Sequence, residues 1–166
     1  MINKIKENLY QLHFHNFSSC VYLLKLQNLI MIDVGSTAAK QELLEDLQKL
    51  NIGFKNIDAI ILTHDHYDHV ENLEMFKDSK IYSFKNIEEL KKDFPEFKVF
   101  HLPGHTQEDI VILWEDVLFS GDVIFDKNHN YIGRNDLPES NPEKQKKSLE
   151  KLKKIKYEVL CAGHLI

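Results

Sequence analysis

Little in this chain of 166 residues points to a disulfide-linked, membrane-spanning or nucleic-acid-coating protein. Its two cysteines, Cys20 and Cys161, lie far apart in apolar, strand-like contexts, so a disulfide scaffold is not indicated and both read as buried thiols. No apolar run approaches the roughly 20 residues that span a bilayer. Residues 1–8 hold no uninterrupted apolar stretch of the secretory kind, so a cytoplasmic location is expected. No repeat, low-complexity tract or Gly/Pro/Ser linker divides the chain, and residues 1–166 are expected to form one domain. Basic residues number 21 against 26 acidic ones, and a formal net charge of −5 does not favour a fold-wide attraction to nucleic acid. Arg134 is the only arginine.

What is present is ordinary globular material, 43% hydrophobic and 28% charged, in a length that can enclose a two-layer core. The first third predicts strands over Leu9–His15, Val21–Leu26 and Asn28–Val34, the last two joined tightly enough for a hairpin. Leu43, Leu44, Leu47 and Leu50 recur at helical spacing within 38–50, and Ala59–Leu62 reads as a strand buried on both faces. Short strands are predicted over Ile81–Ser83, Lys98–His101, Ile110–Leu113, Val117–Ser120 and Glu158–Cys161, with a polar helix over Asn86–Asp93. Asn141-Pro142-Glu143 starts a last helix, Asn as cap and Pro in the first turn, with Leu149, Leu152 and Ile155 as its buried stripe. Its lysines read as a solvated face, since Glu143 and Glu150 interrupt them and no aromatics are interleaved.

The most informative stretch is Thr63-His64-Asp65-His66-Tyr67-Asp68-His69, three imidazoles and two carboxylates directly after a buried strand. Imidazole and carboxylate together suit zinc, iron or manganese, and the lack of cysteine ligands points to an open catalytic site. Three further ligand types follow predicted strands next to glycine: His105 in Gly104-His105, Asp122 in Gly121-Asp122 and His164 in Gly163-His164. His64, His66, Asp68 and His69 with these three make seven plausible ligands, more than one tetrahedral ion takes, which implies two metals; if Asp122 is shared, each receives three ligands of its own. His13 and His15 alternate on a predicted strand with no other ligand nearby and read as structural, as do His101 and His129. Arg134 offers a planar, permanently charged fork for a carboxylate, either a substrate's or the protein's own, and is a candidate substrate-binding residue.

With these motifs the sequence resembles, along almost its whole length, the metallo-β-lactamase fold superfamily of metal-dependent hydrolases. The resemblance implies an α+β protein, a four-layer αββα sandwich with the metals at the edge of the two sheets. It implies His64, His66 and His105 on one metal, Asp68, His69 and His164 on the other, and Asp122 between them. Asp33 matches an acidic residue that supports the ligands from behind. Gly121–Phe125, Ile132–Pro138 and the following Asn-Pro-Glu helix are similar to small glyoxalase II-like hydrolases. Leu165 stands where the family usually has glycine.

The expected cofactors are two divalent ions, zinc foremost, with iron or manganese as alternatives. A hydroxide shared by the two ions would attack, and Asp68 would anchor one ion and orient that nucleophile. The expected substrate is a small acyl compound, a thioester of the hydroxyacylglutathione type. Larger glyoxalase II enzymes grip glutathione with a C-terminal helical domain, whereas this sequence ends two residues after His164, so recognition is expected from loops of the core domain. The other readings are a β-lactam or lactone hydrolase, a nuclease of the superfamily, a mononuclear iron persulfide dioxygenase, or a metal-binding scaffold without turnover. Neither a membrane nor nucleic acid is an expected partner.

Overall fold

The computed structural model describes residues 1–165, which fall into two compact units, Met1–Tyr82 and a second that begins at Ser83. The first is built on one six-stranded sheet: β1 (Ile2–Lys6), β2 (Leu9–Leu12), β3 (Val21–Lys25), β4 (Leu29–Ile32), β5 (Ala59–Ile61) and β6 (Lys80–Tyr82), in that spatial order. Strands β1 to β4 run antiparallel, and β5 and β6 add on in parallel. A parallel step needs a crossover, and helix α1 (Lys40–Lys49) supplies it between β4 and β5. The α1 stripe buries Leu43 and Leu47 completely and packs with Leu23, Met31, Ile60 and Phe76 in one apolar cluster. Fully burying one such side chain is worth about 1.5–3 kcal/mol, so this cluster holds the helix on the sheet.

Two features differ from the sequence reading. Strand β1 was not predicted, because its two isoleucines, Ile2 and Ile5, are separated by Asn3 and Lys4 and show no alternation, on a half-exposed sheet edge. Strand β2 stops at Leu12, so His13 and His15 do not alternate on a strand but lie in the loop that follows.

The second unit carries a four-stranded sheet in the order β10-β9-β8-β7, from β7 (Phe97–His101), β8 (Ile110–Trp114), β9 (Val117–Gly121) and β10 (Val159–Ala162). The β7-β8-β9 strands form an antiparallel meander, and β10 returns parallel to β9 after helix α4 (Pro142–Leu152). The short helix α3 (Ile87–Asp93) precedes β7. Strands β8 and β9 are buried at every position, as expected of continuous apolar runs. Asn141 caps α4 by accepting from Lys144 N at 2.9 Å, with Pro142 in the first turn. Leu152 is fully buried, while Leu149 and Ile155 pack on the same cluster only in part. The remaining buried positions of α4 are polar, Gln145 and Ser148. No helix among the described residues is long and apolar enough to cross a membrane.

Candidate metal centre

In the first unit β5 ends at Ile61 and a loop runs to helix α2 (Tyr67–Val70), whose first turn carries Asp68 and His69. His64, Asp68 and His69 are buried and His66 is half-buried. The ring centroids of His64 and His69 are 4.0 Å apart, those of His64 and His66 4.7 Å, and Asp68 Oδ2 lies 3.9 Å from His69 Nε2. Burying two imidazoles and a carboxylate this close, with a third imidazole half-buried beside them, is costly unless something satisfies them together.

Asp33 stands behind this group. Its carboxylate accepts from Thr63 N and Thr63 Oγ1, both at 2.8 Å, and lies 2.8 Å from His69 Nδ1. A carboxylate can only accept, so His69 carries its proton on Nδ1 and presents the lone pair on Nε2. Asp33 adopts the left-handed backbone, φ 55°, which aspartate tolerates better than most residues. Neighbouring bonds hold it there: Asp33 N donates to Ile61 O, Val34 N to His69 O, and the buried Asn72 amide to the carbonyls of Val34 and Ser36.

In the second unit the ligand types again follow strands. His105 lies in the β7–β8 loop, Asp122 directly after β9 and His164 two residues after β10. The β9/β10 register shifts after Cys161, so that Phe119 faces Cys161 but Gly121 faces Ala162. Such a bulge re-aims the residues beyond it, here Asp122 and His164. One oxygen, Asp122 Oδ2, lies 3.5 Å from His105 Nε2 and 3.6 Å from His164 Nε2. These separations are too long for hydrogen bonds. They match the about 3.4 Å between two ligand atoms that each sit about 2.1 Å from one tetrahedral ion. His105 Nδ1 donates to Arg134 O at 2.8 Å, which again leaves Nε2 with the lone pair. The donor chemistry in both units therefore fits divalent metal ions.

The family described as the metallo-beta-lactamase superfamily matches residues 16–94 and 80–164, nearly the full length. The chain belongs to the metallo-beta-lactamase superfamily. A Methanocaldococcus jannaschii protein named "Probable metallo-hydrolase" is 33% identical over 135 residues, covering 76% of this chain and 65% of that protein. A hydroxyacylglutathione hydrolase of Psychromonas ingrahamii is 34% identical over 116 residues, covering 60% of this chain and 43% of the relative. The chain thus spans under two thirds of the first relative and under half of the second. Among solved structures, TTHA1623 in a di-iron-bound form superposes with a TM-score of 0.71 at 23% identity, over 92% of each chain. The BLEG-1 B3 metallo-beta-lactamase gives 0.73 at 21% identity, over 94% of this chain and 91% of that one. The α+β class and the superfamily fold expected from the motifs are what the two sheets and these neighbours show.

Several residues that hold the superfamily motifs in place carry no signal in the sequence reading. Thr106, next to His105, donates from N and Oγ1 to the two oxygens of buried Asp109, at 2.8 and 2.7 Å, closing the loop on itself. Burial, opposed by these two bonds, raises the Asp109 pKa above the ordinary carboxylate value. From α4 and its cap region, Ser140 Oγ donates to His105 O, Gln145 Nε2 to Gly133 O and Ser148 Oγ to Pro103 O. Gly133 is required by contact, since a Cβ there would lie 2.0 Å from Asp122 O and 2.9 Å from His105 Cγ. Gly104 is likewise pressed against α4, where a Cβ would meet Gln145 Cα at 2.3 Å.

Of the two partners left open for Arg134, the structure shows the protein's own carboxylate: Nε and Nη2 each lie 3.0 Å from Asp136, on the surface. His101 stacks on Phe84 and its Nε2 bonds Gln107 O, while His129 lies 3.3 Å from the Tyr157 hydroxyl. Cys20 and Cys161 are buried and form no disulfide among the described residues.

Proposed function

We propose that the chain is a metal-dependent hydrolase of a small acyl compound, a thioester of the hydroxyacylglutathione type. His64, His66 and His105 would hold one divalent ion, Asp68, His69 and His164 a second, and Asp122 would serve both. Zinc is the expected ion. The observation that carries the reading is the single Asp122 oxygen equidistant from His105 Nε2 and His164 Nε2, the disposition a bridging carboxylate needs.

When bound, two such ions lower the pKa of water toward about 7 and polarise the scissile carbonyl. The chain's own residues then have defined tasks. Asp33, through His69 Nδ1, and the Arg134 carbonyl, through His105 Nδ1, fix two imidazoles in the tautomer that binds metal. Asp68, buried at the start of α2, offers a carboxylate oxygen to accept a hydrogen bond from the attacking water and orient it. The hydroxyacylglutathione hydrolases among the relatives support the thioester substrate.

The test is a side-by-side assay of zinc-, iron- and manganese-loaded protein on S-lactoylglutathione, a β-lactam and single-stranded nucleic acid. The thioester is expected to lead by at least tenfold in kcat/KM, about 1.4 kcal/mol in transition-state stabilisation. Nuclease activity above thioesterase activity, and lost in His64→Ala, would overturn the substrate assignment.

A further inference from the structure

The second unit carries a groove that the proposed reaction does not use. It has a volume of about 660 Å³, within the range of small-ligand sites, and lies between β7 and the segment that ends α4. Phe100 and Ile155, both half-buried, belong to its apolar floor, and Lys98, Lys151, Lys154 and Lys156 rim it. All four lysines are exposed, and among the described residues none of them has an ion-pair partner. The nearby Glu150 is instead held by Lys153 at 2.7 Å. Charge is segregated here: residues 143–156 contain seven lysines and two glutamates in a chain of formal net charge −5.

We propose that this groove binds a free medium-chain acyl carboxylate, its tail on the Phe100–Ile155 floor and its head among the four lysines. An apolar floor alone would take any tail, and lysines alone any anion; their juxtaposition selects a molecule with both. Single-stranded nucleic acid fits less well, because successive bases need several ring faces and the groove offers Phe100 alone, the His101 ring being stacked on Phe84 at 4.0 Å. None of the seven proposed metal ligands lines the groove.

Calorimetric titration of the whole chain with dodecanoate tests it. Saturable binding at one site per chain is expected. Octanoate, with a shorter tail, and dodecyltrimethylammonium, with the same tail and a positive head, should each bind at least tenfold more weakly. The double variant Lys151→Glu/Lys154→Glu should lose at least tenfold for dodecanoate while its thermal unfolding midpoint stays unchanged, since both positions are exposed. Equal affinity for the cationic amphiphile, or no loss in a folded double variant, would overturn the proposal. So would absence of dodecanoate binding alongside variant-sensitive binding to phosphatidylglycerol vesicles or to a short single-stranded DNA.

Discussion

Asp33 Oδ2 and His69 Nδ1 stand 2.8 Å apart, the carboxylate almost wholly buried and the imidazole completely so. A buried carboxylate is tolerated because its two oxygens collect three donors, from Thr63 and His69. Asn at position 33 keeps the shape and accepts the left-handed backbone, but its amide end cannot accept a hydrogen bond. Asp33→Asn is therefore expected to weaken metal binding by roughly 10- to 100-fold, measured by competition with a chelator. Unaltered affinity would show that His69 needs no such partner.

Asp122→Ala should remove or severely weaken both ions and abolish activity, whereas His164→Ala should affect one ion first. His13→Ala, a loop position outside the ligand set, is the matched control and should change little. Turnover of Asp122→Ala within about threefold of the parent, roughly 0.7 kcal/mol of barrier, would exclude a bridging role.

Gly133→Ala should destabilise the fold, although position 133 supplies no ligand itself. The added methyl collides with the Asp122 carbonyl and the His105 ring, and overpacking of this kind costs about 1–3 kcal/mol. A fall of at least about 2 °C in Tm is expected for a chain of this size. An unchanged Tm would mean that the 122–133 backbone shifts freely.

Glu42 on α1 ties down the loop after β2. Burial pushes its pKa up, but bonds from the backbone of His15 and Asn16 and from both their side chains outweigh this and lower it to about 2, from 4.5. A depressed folded pKa contributes stability that is present above 4.5 and is lost as pH falls toward 2. Glu42→Gln should lower stability at pH 7 and flatten its decline over that acid window, read from urea midpoints. Parallel pH profiles for the two proteins would contradict the assignment.

The ligand types were legible because metal chemistry concentrates them: five of the residues from His64 to His69 are histidine or aspartate, and His105, Asp122 and His164 each follow a glycine after an apolar run. The central strands were legible for a related reason, since β3, β5, β8 and β9 are apolar without interruption over most of their length. What escaped reading was polar residues doing buried work. Gln145 and Ser148 look like solvent-facing positions of a lysine-rich helix, yet they bond the carbonyls of Gly133 and Pro103. The Thr106–Asp109 pair looks like an ordinary loop until its four atoms are seen to meet. Strand β1 escaped because an edge strand can be half lysine and asparagine and still pair.

Elemental analysis of protein reconstituted separately with zinc, iron and manganese tests the dinuclear centre most directly. Two ions per chain are expected with at least one of the three metals, falling to about none in Asp122→Ala. At most one ion per chain with every metal would contradict a dinuclear centre.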